Sequence, residues 1–224
     1  MRSSSRAALW FSLLAALLLL GPLPPAVRSA QLQVTSAADS GVGTLRQALL
    51  DAGPGDTITF SLSVFPPGSP ATIYLRSVLP TLNKDNVTID ASDVGVILDG
   101  SRTPAGTNGL IVEGSNCMVR GLTIQEFSSN GIFVASGAVS NTIGGDRGAG
   151  SGPNGQGNRI VANDGSGVEI RGDGNRVQGN YVGIDASGWL AVSNAYNGVA
   201  LWQGANDNVI GGATSSGCGT IAVR

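Results

Sequence analysis

The chain has 224 residues, of which 34 are Gly, while aromatic residues make up 5% and charged residues 12%. That composition excludes a charged helical bundle, and the absence of His argues against a zinc centre. The formal charge is −2 and Lys84 is the only lysine, so the clustered cations that nucleic acid requires are missing.

The N-terminus reads as a separate segment. Arg2 and Arg6 precede an apolar run from Ala7 to Leu20, which Gly21, Pro22, Pro24 and Pro25 then break. Val27 and Ser29 place short residues before a cleavage point near Ser29 or Ala30, so residues 1–29 are expected to be a secretory signal peptide. An uncleaved membrane anchor is the alternative, but the run is short against the roughly 20 apolar residues of a full span. Cleavage would leave ten basic and fifteen acidic residues. It would also place the protein outside the cell or on its surface.

After the leader, residues 30–60 read as an N-terminal cap. Leu32 to Thr35 alternates like a strand. Thr44 can cap a helix over 44–52 with Gln47 returning the bond, and Leu45, Ala48 and Leu49 share one face before Gly53 and Pro54 stop it. Residues 61–224 then carry short period-two runs bounded by Gly, Asn, Asp, Ser or Pro. The alternation that begins at 57–60 returns at 72–75, 87–90 and 96–99.

From residue 109 a degenerate repeat emerges. Gly followed by aliphatics at the next and third positions occurs at Gly109–Val112, Gly131–Val134, Gly167–Ile170 and Gly198–Leu201. Asn stands two residues before an aliphatic at Asn141, Asn158, Asn175 and Asn208. Such phrases suit coils of roughly 20–25 residues with inserted loops, the largest over 144–157. Aliphatics would stack inward, Gly and Asn would turn the corners in left-handed backbone conformations, and inward Asn amides would satisfy backbone groups at the bends. The expected fold is therefore all-β: a right-handed parallel β-helix, or solenoid, with a short N-terminal capping helix. An antiparallel sandwich is the competing fold.

The segment Ala38 to Ala52, followed by Gly55 to Phe60, resembles the N-terminal cap of secreted bacterial proteins of the pectate-lyase-like parallel β-helix superfamily. Thr142–Ile143–Gly144–Gly145 leading to Gly157–Asn158–Arg159–Ile160, and the second Ile-Gly-Gly at 210–212, resemble their continuation. The resemblance covers the mature chain and implies fold more than activity, because the group spans lyases, hydrolases, adhesins and structural repeats. It also implies a chain incomplete at its C-terminus.

The hydrolase motifs of that superfamily are not matched here. Asp90, Asp93 and Asp99 are the nearest carboxylate cluster, and Asp90 and Asp99 end strands, where an Asp side chain suits turn closure. Calcium-lyase chemistry would need grouped acids, whereas Glu113, Glu126, Asp164, Glu169 and Asp173 are dispersed among Arg120, Arg159, Arg171 and Arg176. The 144–157 loop lacks a P-loop Lys and reads as a surface loop. No catalytic residue, metal site or cofactor is expected. Cys117 and Cys218 are read as two buried thiols, a disulfide being the alternative.

One outer face stands out. If the Gly phrases stack in register, Ile111, Phe133, Glu169 and Ala200 form one outward column, and Glu113, Ala135, Arg171 and Trp202 form its neighbour. Glu113, Phe133, Glu169, Arg171 and Trp202 are the candidate substrate-binding residues, suited to an extended sugar by aromatic stacking and charge-assisted hydrogen bonds. Trp189 and Tyr196 either extend that platform or cover the coil edge. The expected function is a non-catalytic surface or extracellular adhesion or scaffold module, with extracellular polysaccharide or cell-surface material as partner. A carbohydrate-binding or polysaccharide-cleaving module is the alternative.

Overall fold

The computed structural model describes residues 29–185, 187–202 and 204–211, and the backbone of a strand at 222–223. The leader segment and Cys218 lie outside the described residues.

Every named strand pairs in parallel with its neighbours, in three sheets that wind around one core. The first sheet stacks β1 (Gln31–Val34), β2 (Thr57–Phe60), β4 (Thr88–Asp90), β7 (Met118–Arg120), β10 (Thr142–Gly144), β13 (Arg176–Gln178) and β16 (Val209–Ile210). In the second are β3 (Ala71–Tyr74), β5 (Val96–Asp99), β8 (Leu122–Gln125), β11 (Arg159–Val161), β14 (Tyr181–Val182) and β17 (Ala222–Val223). The third contains β6 (Leu110–Val112), β9 (Ile132–Val134), β12 (Val168–Ile170) and β15 (Val199–Leu201), and Leu82 bridges to Val112 at its start. The chain visits the three sheets in fixed order, coil after coil. The fold is a parallel β-helix, and the sandwich is excluded.

Helix α1 (Leu45–Asp51) sits at the N-terminal end, burying Leu45, Ala48 and Leu49 as the sequence predicts. Thr44 accepts from the Gln47 N–H, so half of the capping box forms. Gln47 does not return the bond, because its amide donates instead to Asp51 one turn later at 2.8 Å.

The Gly phrases stack in register, with Leu110, Ile132, Val168 and Val199 as Cα partners. Val112, Val134 and Ile170 are fully buried. Leu201 was expected inward as well but is 48% exposed, since among the described residues no strand of the third sheet lies beyond β15.

The glycines that open these phrases are needed for a reason other than the expected one. None of Gly109, Gly131 and Gly167 has positive φ. A Cβ on Gly131 would lie 2.4 Å from Ile160 Cγ2, and one on Gly167 would lie 2.5 Å from Val182 Cγ1, so close packing excludes a side chain. The left-handed expectation holds at other corners. Gly121, between β7 and β8, has φ +81° and abuts the Ala91 backbone.

Asn side chains line the corners. At the first, Asn141 Oδ1 accepts from the Cys117 N–H at 2.7 Å, Asn175 from the Asn141 N–H and Asn208 from the Asn175 N–H. These steps span 24, 34 and 33 residues, so the repeat is spatial rather than periodic in sequence. A second ladder joins Leu122, Asn158 and Asn180, and a third joins Phe127, Asn163 and Asn194. Each Asn in the second and third ladders also donates through Nδ2 to a corner carbonyl of the preceding coil. Donor and acceptor are thus both used where water is excluded.

Candidate saccharide-binding face

The proposed face is the outer surface of the third sheet. Because β6, β9, β12 and β15 share register, Ile111, Phe133, Glu169 and Ala200 form one column. Glu113, Ala135, Arg171 and Trp202 follow their strands in the adjacent column.

Phe133, Glu169 and Arg171 come together. Arg171 Nε and Nη2 donate to Glu169 Oε1 at 2.8 and 2.7 Å, and its guanidinium carbon stands 5.0 Å from the Phe133 ring centroid. The other carboxylate oxygen accepts from Asn130 Nδ2 at 3.0 Å. Asn130 in turn accepts from the Ser166 N–H at 2.8 Å. Glu169 was expected to point outward, but it is only 8% exposed because these donors hold it against the loop before β9. Its charge is compensated by Arg171, as burial of a carboxylate requires.

Beside this cluster lies a groove of about 260 Å³, lined by residues that include Ser129, Asn130, Glu169, Tyr196 and Trp202. Trp202 is 49% and Tyr196 78% exposed. Two aromatic rings therefore flank a buried carboxylate and a buried amide. Tyr196 lines the same groove as Trp202. Trp189 does not line the groove. Its N–H and that of Leu190 donate to Asp185 Oδ1, beside an antiparallel bridge between Ile184 and Ala191. Hydrogen bonding by Ser187 and these amides holds the Asp185 carboxyl below its ordinary range.

Glu113 stands apart. Two strand spacings, roughly 10 Å, separate it from Arg171 across β9, and it accepts from the Thr81 hydroxyl at 3.2 Å. Asn130 is the site residue that sequence reading missed. Its signal was present: Asn130 directly precedes a phrase glycine, as Asn108 and Asn197 do.

The Asp cluster serves the turns. Asp90 accepts from the Ser92 N–H and hydroxyl, and Asp99 from the same groups of Ser101. Burial pushes the Asp90 carboxyl upward, but hydrogen bonds and charge from Arg120, with bonds from Ser92, outweigh it and lower the pKa below 3.8. Asp93 accepts from the Ser151 N–H at 3.0 Å. That contact helps clamp the 144–157 loop, whose Gly152 N–H also donates to Ser92 O at 2.8 Å. The loop is therefore a surface loop packed against a corner of the coil. Among the described residues, no three His, Cys, Asp or Glu side chains are grouped to hold a metal ion, and no helix is long and apolar enough to cross a membrane.

No family model matches the chain, and neither a curated protein nor a solved structure matches it.

Proposed function

We propose that the chain is an exported β-helix module of the pectate-lyase-like kind, acting without catalysis as an adhesion or scaffold element outside the cell or on its surface. The leader-like N-terminus supports export. A rigid rod of stacked coils suits a scaffold, because each coil is fixed only by its neighbours. The observation that carries the non-catalytic reading is the engagement of the carboxylates: Glu169 is tied to Arg171 and Asn130, while Asp90 and Asp99 close turns. Acid–base cleavage of a glycosidic bond uses two carboxylates facing one substrate across a groove. Incubation with uronate polysaccharides, with and without calcium, should yield no unsaturated products. Their appearance would replace this reading with a lyase.

A second reading is favoured by the groove itself. Tyr196 and Trp202 offer ring faces for sugar stacking, and Glu169 and Asn130 offer polar groups at the groove wall. A carboxylate in that position favours a neutral chain over an acidic one. Trp202→Ala and Arg171→Ala should each weaken retention on an immobilised neutral glucan by about tenfold or more, by the loss of a stacking ring or of the group that orients Glu169. Unchanged retention would leave the scaffold role alone.

A further inference from the structure

A different surface, at the N-terminal end, carries chemistry of the opposite sign. The loop holding Ala37, Ala38, Asp39 and Ser40 faces Tyr74, Arg76 and Arg102 across an open groove of about 460 Å³. The groove joins the cap loop, the end of β3 and the turn after β5.

Its walls are held in place. Arg46 donates to Asp39 Oδ1 at 2.6 Å and to the carbonyls of Val78 and Ser77 at 2.6 and 3.1 Å. Those bonds pin the cap loop to the segment after β3. Asp39, the one acid in the lining, is neutralised by Arg46 and also accepts from the Arg76 N–H. The Arg102 guanidinium carbon stands 4.2 Å from the Tyr74 ring centroid, which restrains that cation at the groove mouth. Neither Arg76 nor Arg102 forms a direct ion pair with a described carboxylate, although the charge of Arg102 also acts on Asp99. Both are exposed. The groove thus presents two guanidiniums beside an aromatic ring, on a chain whose overall charge is negative.

Guanidinium groups recognise planar or tetrahedral oxyanions through paired N–H donors, and a ring beside them gives an apolar surface for a pyranose. We propose that this groove binds an acidic saccharide, its carboxylate or sulfate held by Arg76 and Arg102 and its ring placed against Tyr74. The site is separate from the third-sheet face, and it stands or falls independently of that reading.

The test measures binding of the whole protein to fluorescent oligogalacturonate, to dextran sulfate and to neutral dextran at low ionic strength. Arg76→Ala/Arg102→Ala should weaken binding of the acidic probe at least tenfold. Arg176→Ala removes one exposed cation from the first sheet and should change it less than twofold. Preference for oligogalacturonate identifies a uronate ligand, and preference for dextran sulfate a sulfate ester; either supports the proposal. Because both arginines are exposed, the double variant should keep the parent circular dichroism spectrum. Equal weakening by Arg176→Ala, equal binding of neutral dextran, or no binding of either acidic probe would overturn the proposal.

Discussion

The coils at the two ends of the rod solve the same corner in different ways. In the earlier coils the inward corner positions are Val87, Val96, Leu122 and Phe127, all with relative exposure of 1% or less. In the later coils the register-equivalent positions are Asn141, Asn158, Asn163, Asn175, Asn180 and Asn194. Apolar corners gain stability from burial alone and tolerate small shifts. Amide corners gain it from directed bonds that fix the next coil in register. The change occurs at Cys117, the first-corner residue between Val87 and Asn141. Its Sγ donates to Lys84 O at 3.1 Å and its N–H donates to Asn141 Oδ1. The seam is imperfect, since Asn141 Nδ2 is buried without a hydrogen-bond partner.

Exchanging the two solutions gives the largest expected effect. Asn158→Leu adds apolar volume but leaves the Leu122 N–H and the Val119 carbonyl without their present partners. Two unsatisfied buried groups should cost about 2–5 kcal/mol. Phe127→Asn should lose a similar amount through the cavity left between Gly100 and Gly109, both of which a Cβ would force against that ring. Urea denaturation measures both. Hydrogen exchange at the Leu122 amide should accelerate in Asn158→Leu. An Asn158→Leu protein as stable as its parent would mean that the ladder ornaments a corner held by packing.

The seam gives a smaller effect. Asn at position 117 would extend the first ladder by one rung, offering Oδ1 where the thiol now meets the Val87 N–H. Cys117→Asn should therefore stay within about 1 kcal/mol of the parent, whereas Cys117→Leu should lose about 1–3 kcal/mol by overpacking. Differential scanning calorimetry separates the two. Cys117 should also resist alkylation in the folded protein, because burial pushes its thiol above the ordinary 9.0.

Much of this was legible because it is local. Period-two alternation found β2, β5 and the third-sheet strands, the capping pattern found α1, and strand-end Asp residues gave the turns at Ser92 and Ser101. The third ladder escaped notice, although Phe127, Asn163 and Asn194 each precede a phrase glycine by four residues. Phe in the first rung hid the equivalence, and loops of unequal length hid the spacing. The two grooves were harder still. Glu169 meets Asn130 across 39 residues, and Tyr74, Arg76 and Arg102 meet a cap loop more than thirty residues earlier. No local pattern records which loop of one coil falls beside which residue of another. Stacking register decides that, and register depends on every inserted loop between them.

Acid should sharpen the contrast between the two ends, with the smallest effect of the three. Corner turns in the earlier coils are closed by carboxylates, at Asp90 and Asp99, whereas amides that do not titrate line the later ones. For Asp99, burial raises the pKa, but bonds from Ser101 and Gln125 and the charge of Arg102 outweigh it, so the folded value lies below 3.8, as for Asp90. A depressed folded pKa means that the unfolded chain takes up protons first as pH falls. The stabilisation is complete above about pH 4 and is lost as pH drops through the folded values. Hydrogen exchange at pH 3 should therefore speed up at Ser92 and Ser101 before it does at Asn158 or Asn180. Asp90→Asn should lower the melting temperature at pH 7, by a margin that shrinks at acid pH as the parent carboxyl takes up its proton. If Asp90→Asn lowered the melting temperature equally at neutral and acid pH, the turn would depend on shape rather than charge, and the two ends would respond alike to acid.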